Sequence, residues 1–171
     1  QSYYIKANDR FIMNCGLSSM GYGLPAAIGA CIAAAKEQVI CIEGDGSLMM
    51  NLQEIQTVLT NDLPIKLFVI NNQGYHQIRQ TQNRIFHNGL VGVGPESGDL
   101  GFPDYSKLSQ AFGMSYAAIT SNEMLQSVIM QVLSQKHSVF CEVFVSTVQN
   151  FEPKSATRRL PDGTLISPPL E

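Results

Sequence analysis

Four short apolar runs, separated by segments of helical periodicity, constrain this chain more than any other feature. They are QVICIE at 38–43, IKLFVI at 65–70, MSYAAI at 114–119 and SVFCEVFV at 138–145. A strand with one wet face alternates apolar and polar residues. These runs are close to continuous, as expected for strands buried on both faces of a parallel sheet. Helix patterns lie between them. Residues 24–36 hold Pro25 in a first turn, where its missing N–H costs nothing. Residues 48–60 place Leu52, Ile55, Val58 and Leu59 on one face, and Pro64 follows them. A weaker helix pattern covers 76–84. Asp104 is a candidate N-cap for a helix to Phe112 that Gly113 stops. Residues 121–135 repeat apolar pairs at four-residue steps. The expected class is α/β, a three-layer α/β/α arrangement around a mostly parallel sheet.

The remaining segments lack periodicity. A short strand is expected at 11–13, and a Gly/Ser-rich loop at 14–23. Residues 85–103 hold five Gly and two Pro, which marks a long functional loop. The tail, 146–171, holds four Pro and is expected to be extended and to pack on a surface or a partner.

Composition narrows the function. No run approaches the roughly 18 apolar residues of a membrane span, and no basic segment precedes an apolar one as in a secretory signal. With 11 Lys+Arg against 14 Asp+Glu and a net charge of −3, a nucleic-acid partner is not expected. Charged residues make up only 15% of the chain, where about 25% is usual, so much of the surface is expected to be covered by something else. The chain starts at Gln1 and reads as a piece of a longer protein. Cys15, Cys31, Cys41 and Cys141 lack CxxC spacing and read as buried, reduced thiols. His76, His87 and His137 lack metal-ligand spacing, and a cytoplasmic location is expected.

In a parallel sheet, ligands bind beyond the carboxyl ends of the strands. Two such loops stand out: Gly44-Asp45-Gly46-Ser47 after the first run, and Asn71-Asn72-Gln73-Gly74 after the second. The first offers main-chain N–H groups and a hydroxyl to a phosphate. It also places a carboxylate there, which repels phosphate unless a cation lies between. Mg²⁺ takes one or two carboxylates plus phosphate oxygens, and Asn72 and a turn carbonyl can complete the set. GDG followed by NN at one fixed offset is roughly a one-in-several-thousand coincidence for a chain this size.

GDG-x24-NN resembles the thiamine-diphosphate binding motif. GLSSMGYGLPAAIGA at 16–30 resembles the stretch that precedes that motif in acetolactate synthase and its relatives. The resemblance covers roughly residues 10–145 and implies a C-terminal diphosphate-binding domain over 1–145 with an extended tail over 146–171. It implies that Asp45 and Asn72 hold Mg²⁺ by their side chains and Gly74 by its carbonyl. Gly44, Gly46 and Ser47 would line the diphosphate, with Gly46 and Ser47 as donors. The Ser18 carbonyl would accept from the cofactor's 4′-amino group, and Met20 would wedge the cofactor into its bent form. The implied activity is decarboxylation of a 2-keto acid with carboligation or protonation. The activating glutamate would lie on an N-terminal pyrimidine-binding domain of a neighbouring subunit. The implied partners are that domain, a middle domain and a second subunit, in a homodimer or tetramer. FAD, where used, would sit off this domain, and the fragment alone would be inactive.

Gln77 and Thr81 stand where biosynthetic acetolactate synthases typically carry Met and Trp, and the chain has no Trp. A more polar pocket is expected, with Arg79 a candidate for a substrate carboxylate. Another reading is a non-catalytic binding module that keeps the fold. Gly21-x-Gly23-x-x-Ala26 with Glu43 also matches a dinucleotide fingerprint, but GLSS separates it from any strand and Pro25 sits inside it.

Overall fold

The computed structural model describes residues 3–86, 89–149 and 157–167. A four-stranded sheet forms its centre: β1 (Val39–Gly44), β2 (Ile65–Asn71), β3 (Ser115–Ile119) and β4 (Val139–Phe144). The order is β1-β2-β4-β3, and every pair is parallel. Among the described residues, six α-helices connect and flank it: α1 (Gly23–Ala33), α2 (Asp45–Leu48), α3 (Glu54–Thr60), α4 (His76–Ile85), α5 (Tyr105–Phe112) and α6 (Asn122–Ser134). Because all strands run one way, β1 and β2 end side by side, with Gly44 level with Ile70.

The two faces carry separate cores. On one, Cys41, Leu67, Val69 and Phe140 pack with residues of α1, α3 and α5. On the other, Phe68, Ile119 and Cys141 pack against Val128 and Val132 of α6. The second face is incomplete. Ile40 and Ile42 point to the same side as Phe68, yet they are 53% and 68% exposed. Burial on both faces, expected for all four runs, therefore fails at β1, one edge strand, and in part at β3, the other edge, where Ser115 and Tyr116 are exposed.

Several boundaries differ from the sequence reading. The expected helix over 48–60 is two pieces, α2 and α3, with residues 49–53 between them. Asn51 interrupts it, because its side chain reaches the Gly21 carbonyl at 2.7 Å instead of facing solvent. The expected strand at 11–13 does not form. Asp104 caps α5 as expected, accepting from the N–H groups of Ser106 and Lys107, and Gly113 ends it in the left-handed region. The 85–103 loop carries one 3₁₀ turn at Pro95–Ser97, and His87 lies outside the described residues. In the tail, β5 (Arg158–Arg159) and β6 (Leu165–Ile166) form a small antiparallel pair. Residues 150–156 and 168–171 lie outside the described residues. Three cysteines are buried, and burial pushes the thiols of Cys41 and Cys141 up to about 12 and about 11. Cys15 is exposed, contrary to expectation, since it lies in the irregular segment before α1 with no described element packed over it.

Lys66 is a buried cation at the amino end of β2. Its ammonium donates to the Gln135 carbonyl at 2.8 Å and to the His137 carbonyl, and so satisfies groups that the end of α6 leaves open. Burial lowers its pKa. Lys66→Met should cost about 1–3 kcal/mol in denaturant unfolding, because two carbonyls lose their donor. Lys136→Met, at an exposed position, should stay within about 0.5 kcal/mol of the parent. Equal effects of the two changes would refute this role for Lys66.

Candidate functional site

The carboxyl ends of β1 and β2 bring the GDGS and NNQG loops together, and one side chain joins them. Asp45 is 1% exposed. Its Oδ1 accepts from the Gly46 N–H at 2.8 Å, and its Oδ2 accepts from the Gly74 N–H across the two loops at 2.9 Å. Its main-chain carbonyl accepts from the Tyr105 hydroxyl at 2.9 Å. Burial, then the charges of Asp45 and Glu142, raise the Tyr105 phenol, so it remains a donor. Burial also raises the Asp45 carboxyl, against the pull of the Gly46, Gly74 and Gln73 N–H groups and the Arg79 charge.

Both glycines are sterically required. A Cβ on Gly46 would enter the Tyr75 ring. Gly74 has φ 134°, and its Cβ would collide with the Val93 carbonyl. In the Gly74 loop, the Asn72 Oδ1 is buried and accepts no hydrogen bond. A buried acceptor left open, in a loop tied to a desolvated carboxylate, is what a cation could complete. The Gly74 carbonyl accepts from the His76 N–H at 3.1 Å, and a carbonyl has a second lone pair. Among the described residues no three His, Cys, Asp or Glu side chains converge, so the donor set is one carboxylate, an amide and a carbonyl. That set suits a hard cation that keeps water and phosphate as its other ligands.

A third loop docks on the same edge. The Gly21 N–H donates to the Ser47 Oγ at 2.9 Å. The Ser47 hydroxyl proton goes to Glu43, which also accepts from the Leu24 N–H at 3.1 Å. A Cβ at Gly23 would fall inside that carboxylate, so Gly23 makes the approach possible. Glu43 thus supplies its own anion to the start of α1. That position is closed to a pyrophosphate, which disposes of the dinucleotide fingerprint. Ser18, in the left-handed region with φ 48°, and Met20, 45% exposed, precede the anchored Gly21. Among the other candidates, Gly44 precedes α2 as its extended N-cap residue, and the Gly46 N–H and the Ser47 hydroxyl are engaged inside the protein.

Arg79 is committed within the protein. It is 6% exposed, pairs with Glu96, and donates to the Asn72, Gln73 and Thr147 carbonyls. The expectation of a carboxylate-binding Arg79 fails, since its fork is used to hold the turn and the segment after β4. Gln77 and Thr81 are exposed on α4.

Sequence reasoning passed over Glu142. It is buried on β4, where Oε1 accepts from Asn71 Nδ2 and Oε2 accepts from the Tyr116 hydroxyl, each at 2.5 Å. The signal was present: one carboxylate inside the apolar run SVFCEVFV.

The family model for "Thiamine pyrophosphate enzyme, C-terminal TPP binding domain" matches residues 1–143. The chain belongs to that family. It is 36% identical over 147 residues to an acetolactate synthase large subunit of Cyanidium caldarium, covering 86% of this chain and 25% of that protein. It is 34% identical over 145 residues to the acetolactate synthase isozyme 2 large subunit of Escherichia coli K12, covering 85% and 26%. A probable chloroplastic acetolactate synthase 2 of rice matches at 30% over 158 residues, covering 90% and 24%. The chain therefore spans about a quarter of the length of these curated relatives. The match to the thiamine pyrophosphate domain stops at residue 143, inside β4, and leaves the tail outside it. Around the docked loop the domain exposes Met13, Leu17, Met20, Tyr22, Met49 and Met50. Among the described residues no helix is long and apolar enough to cross a membrane.

Gly74→Ala should destabilise this domain by at least about 1 kcal/mol more than Gly98→Ala, by denaturant unfolding. Both glycines have positive φ, but a Cβ at Gly98 meets nothing within 4 Å. Equal costs would mean that the Val93 carbonyl does not confine the turn.

Proposed function

We propose that Asp45, Asn72 and the Gly74 carbonyl hold Mg²⁺ against the diphosphate of thiamine diphosphate, in an acetolactate-synthase-like 2-keto acid decarboxylase or carboligase. The observation that carries this is the open, buried Asn72 Oδ1 in the loop that the Gly74 N–H ties to the buried Asp45 carboxylate. When bound, thiamine diphosphate supplies an electron sink for breaking the bond next to a keto group. This chain binds, orients and encloses. Asp45 and Asn72 would hold the cation that offsets the diphosphate charge. Gly44, Gly46 and Ser47 form the close approach at the start of α2, and the Glu43–Ser47–Gly21 chain fixes the loop that offers the Ser18 carbonyl and the Met20 thioether.

The catalytic glutamate and the rest of the substrate pocket belong to other domains or a second subunit, so the 171-residue chain alone is inactive. The exposed apolar rim at Met13, Leu17, Met20 and Met50, and Ile40 and Ile42 of β1, are the faces that meet them, in a homodimer or tetramer. The protein is cytoplasmic, and any FAD lies off this domain. The exposed Gln77 and Thr81 give the substrate side a polar, open wall, suited to a 2-keto acid partner other than the biosynthetic pair.

Asn72→Ala separates function from stability. Without cation the variant should be as stable as the parent or more so, because it loses an unsatisfied buried acceptor. With Mg²⁺ and thiamine diphosphate at about 100 times the dissociation constant, the intact parent protein should gain about 2.7 kcal/mol and the variant far less. Thermal melts with and without both ligands decide this. A parent that gains nothing, or a variant that gains equally, would sink the assignment.

A further inference from the structure

We infer that Glu142 is a positioning residue that fixes the direction of the Asn71 amide and, through it, the turn that presents Asn72 and Gly74. This rests on the reading of that turn as a cation site. Asn71 closes β2 and lies on the same face as Val69, which is in register with Glu142 of β4. Its amide is held from both ends. Nδ2 donates to Glu142 Oε1 at 2.5 Å, and Oδ1 accepts from the Gln73 N–H at 2.9 Å. The second bond is an Asx turn, which bends the chain across Asn72. Gln73 has φ 57°, a left-handed conformation that a side-chain bond of this kind helps to hold.

An amide can present either its oxygen or its nitrogen to a neighbour. A carboxylate that only accepts removes that freedom. With Glu142 as acceptor, Nδ2 must face β4, and Oδ1 must then face the Gln73 N–H. The second Glu142 oxygen is held by the Tyr116 hydroxyl from β3 at 2.5 Å, so the carboxylate cannot turn away. Burial, then the bond to Glu142, raises the Tyr116 phenol, which keeps it a donor. The relay runs from β3 through β4 and β2 to the turn. It explains a carboxylate inside a core strand, where an apolar residue would pack at less cost.

Exchanging the two groups tests the direction of the relay. In Glu142→Gln, with the amide oxygen kept on the Tyr116 hydroxyl proton, an N–H faces Asn71, since the reverse arrangement takes the acceptor from that proton. Asn71 must then either flip and lose the Gln73 bond or face donor to donor. In Asn71→Asp two carboxylates face each other. In the double variant N71D/E142Q the amide at position 142 donates to the carboxylate at position 71. The other oxygen of that carboxylate accepts from the Gln73 N–H, so both bonds return with the charge unchanged. The probe is Mn²⁺, titrated into the intact protein with thiamine diphosphate present and followed by the loss of its free EPR signal, alongside a thermal melt. Each single variant should bind Mn²⁺ at least 10-fold more weakly than the parent, and the double variant should recover to within 3-fold. If the singles do not fold, a folded double that binds is the expected result. A Glu142→Gln protein that binds like the parent, or a double no better than the singles in both folding and binding, overturns the inference. Failure of the cation-site reading shows differently, as a parent that does not bind Mn²⁺ or an Asp45→Ala variant that binds it equally.

Discussion

One hydrogen bond organises the site: the Gly74 N–H to Asp45 Oδ2, which joins the loop after β1 to the loop after β2. Parallel strands do not share a turn, so nothing in their connectivity places these loops in contact. Register brings the strand ends level, and the carboxylate closes the remaining gap. The donor residue also lies hard against the Val93 carbonyl, a position that only glycine permits at 74. A buried carboxylate would normally be lost from such a place, and here three main-chain N–H groups offset much of its desolvation. The offset is incomplete, since burial still raises its pKa.

The same logic recurs at Glu43. There a carboxylate at the end of β1 accepts from the start of α1 and from Ser47, and Ser47 in turn holds Gly21. Both acids stand at or just past the end of a strand, both depend on a glycine whose missing Cβ allows the close approach, and both hold a loop to the sheet edge. The fold thus uses buried anions as tethers for irregular chain, where apolar contact alone would leave the loops free to shift.

The sheet was legible because runs of apolar residues and the helices between them repeat with strong periodicity, and all four strands lie where those runs do. The GDG and NN loops, each ordinary turn chemistry alone, were legible because they occur together at one fixed offset after two strands. What was not legible depends on partners distant in sequence. Nothing local tells that Asn51 turns back to Gly21 and divides a helix, or that Arg79 is consumed by Glu96 and main-chain carbonyls. Exposure of Ile40 and Ile42 could not be read either, because periodicity reports how apolar a strand is and not whether a helix reaches it. Glu142 was visible as an exception within a strand, but its partners on β2 and β3 are set by a strand order that sequence alone does not supply.

The buried ionisable groups are sorted along the sheet. Lys66 lies at the amino end of β2, where it meets the carbonyls at the end of α6. Glu43 and Glu142 lie in the carboxyl halves of β1 and β4, and Asp45, His76 and Arg79 lie beyond the carboxyl ends of the strands. A fold under no functional demand would replace such groups by apolar ones, since a satisfied buried charge rarely adds net stability. Concentrating them at one edge is therefore a structural cost located where the GDG and NN loops meet. Among the described side chains, the hydrogen bonding at that edge leaves a single buried side-chain atom unmatched, the Asn72 oxygen. Asp45, with its carboxyl raised by desolvation, lies in the adjoining loop. On the proposed reading of the site, one cation would meet both the open Asn72 oxygen and the desolvated Asp45 carboxylate.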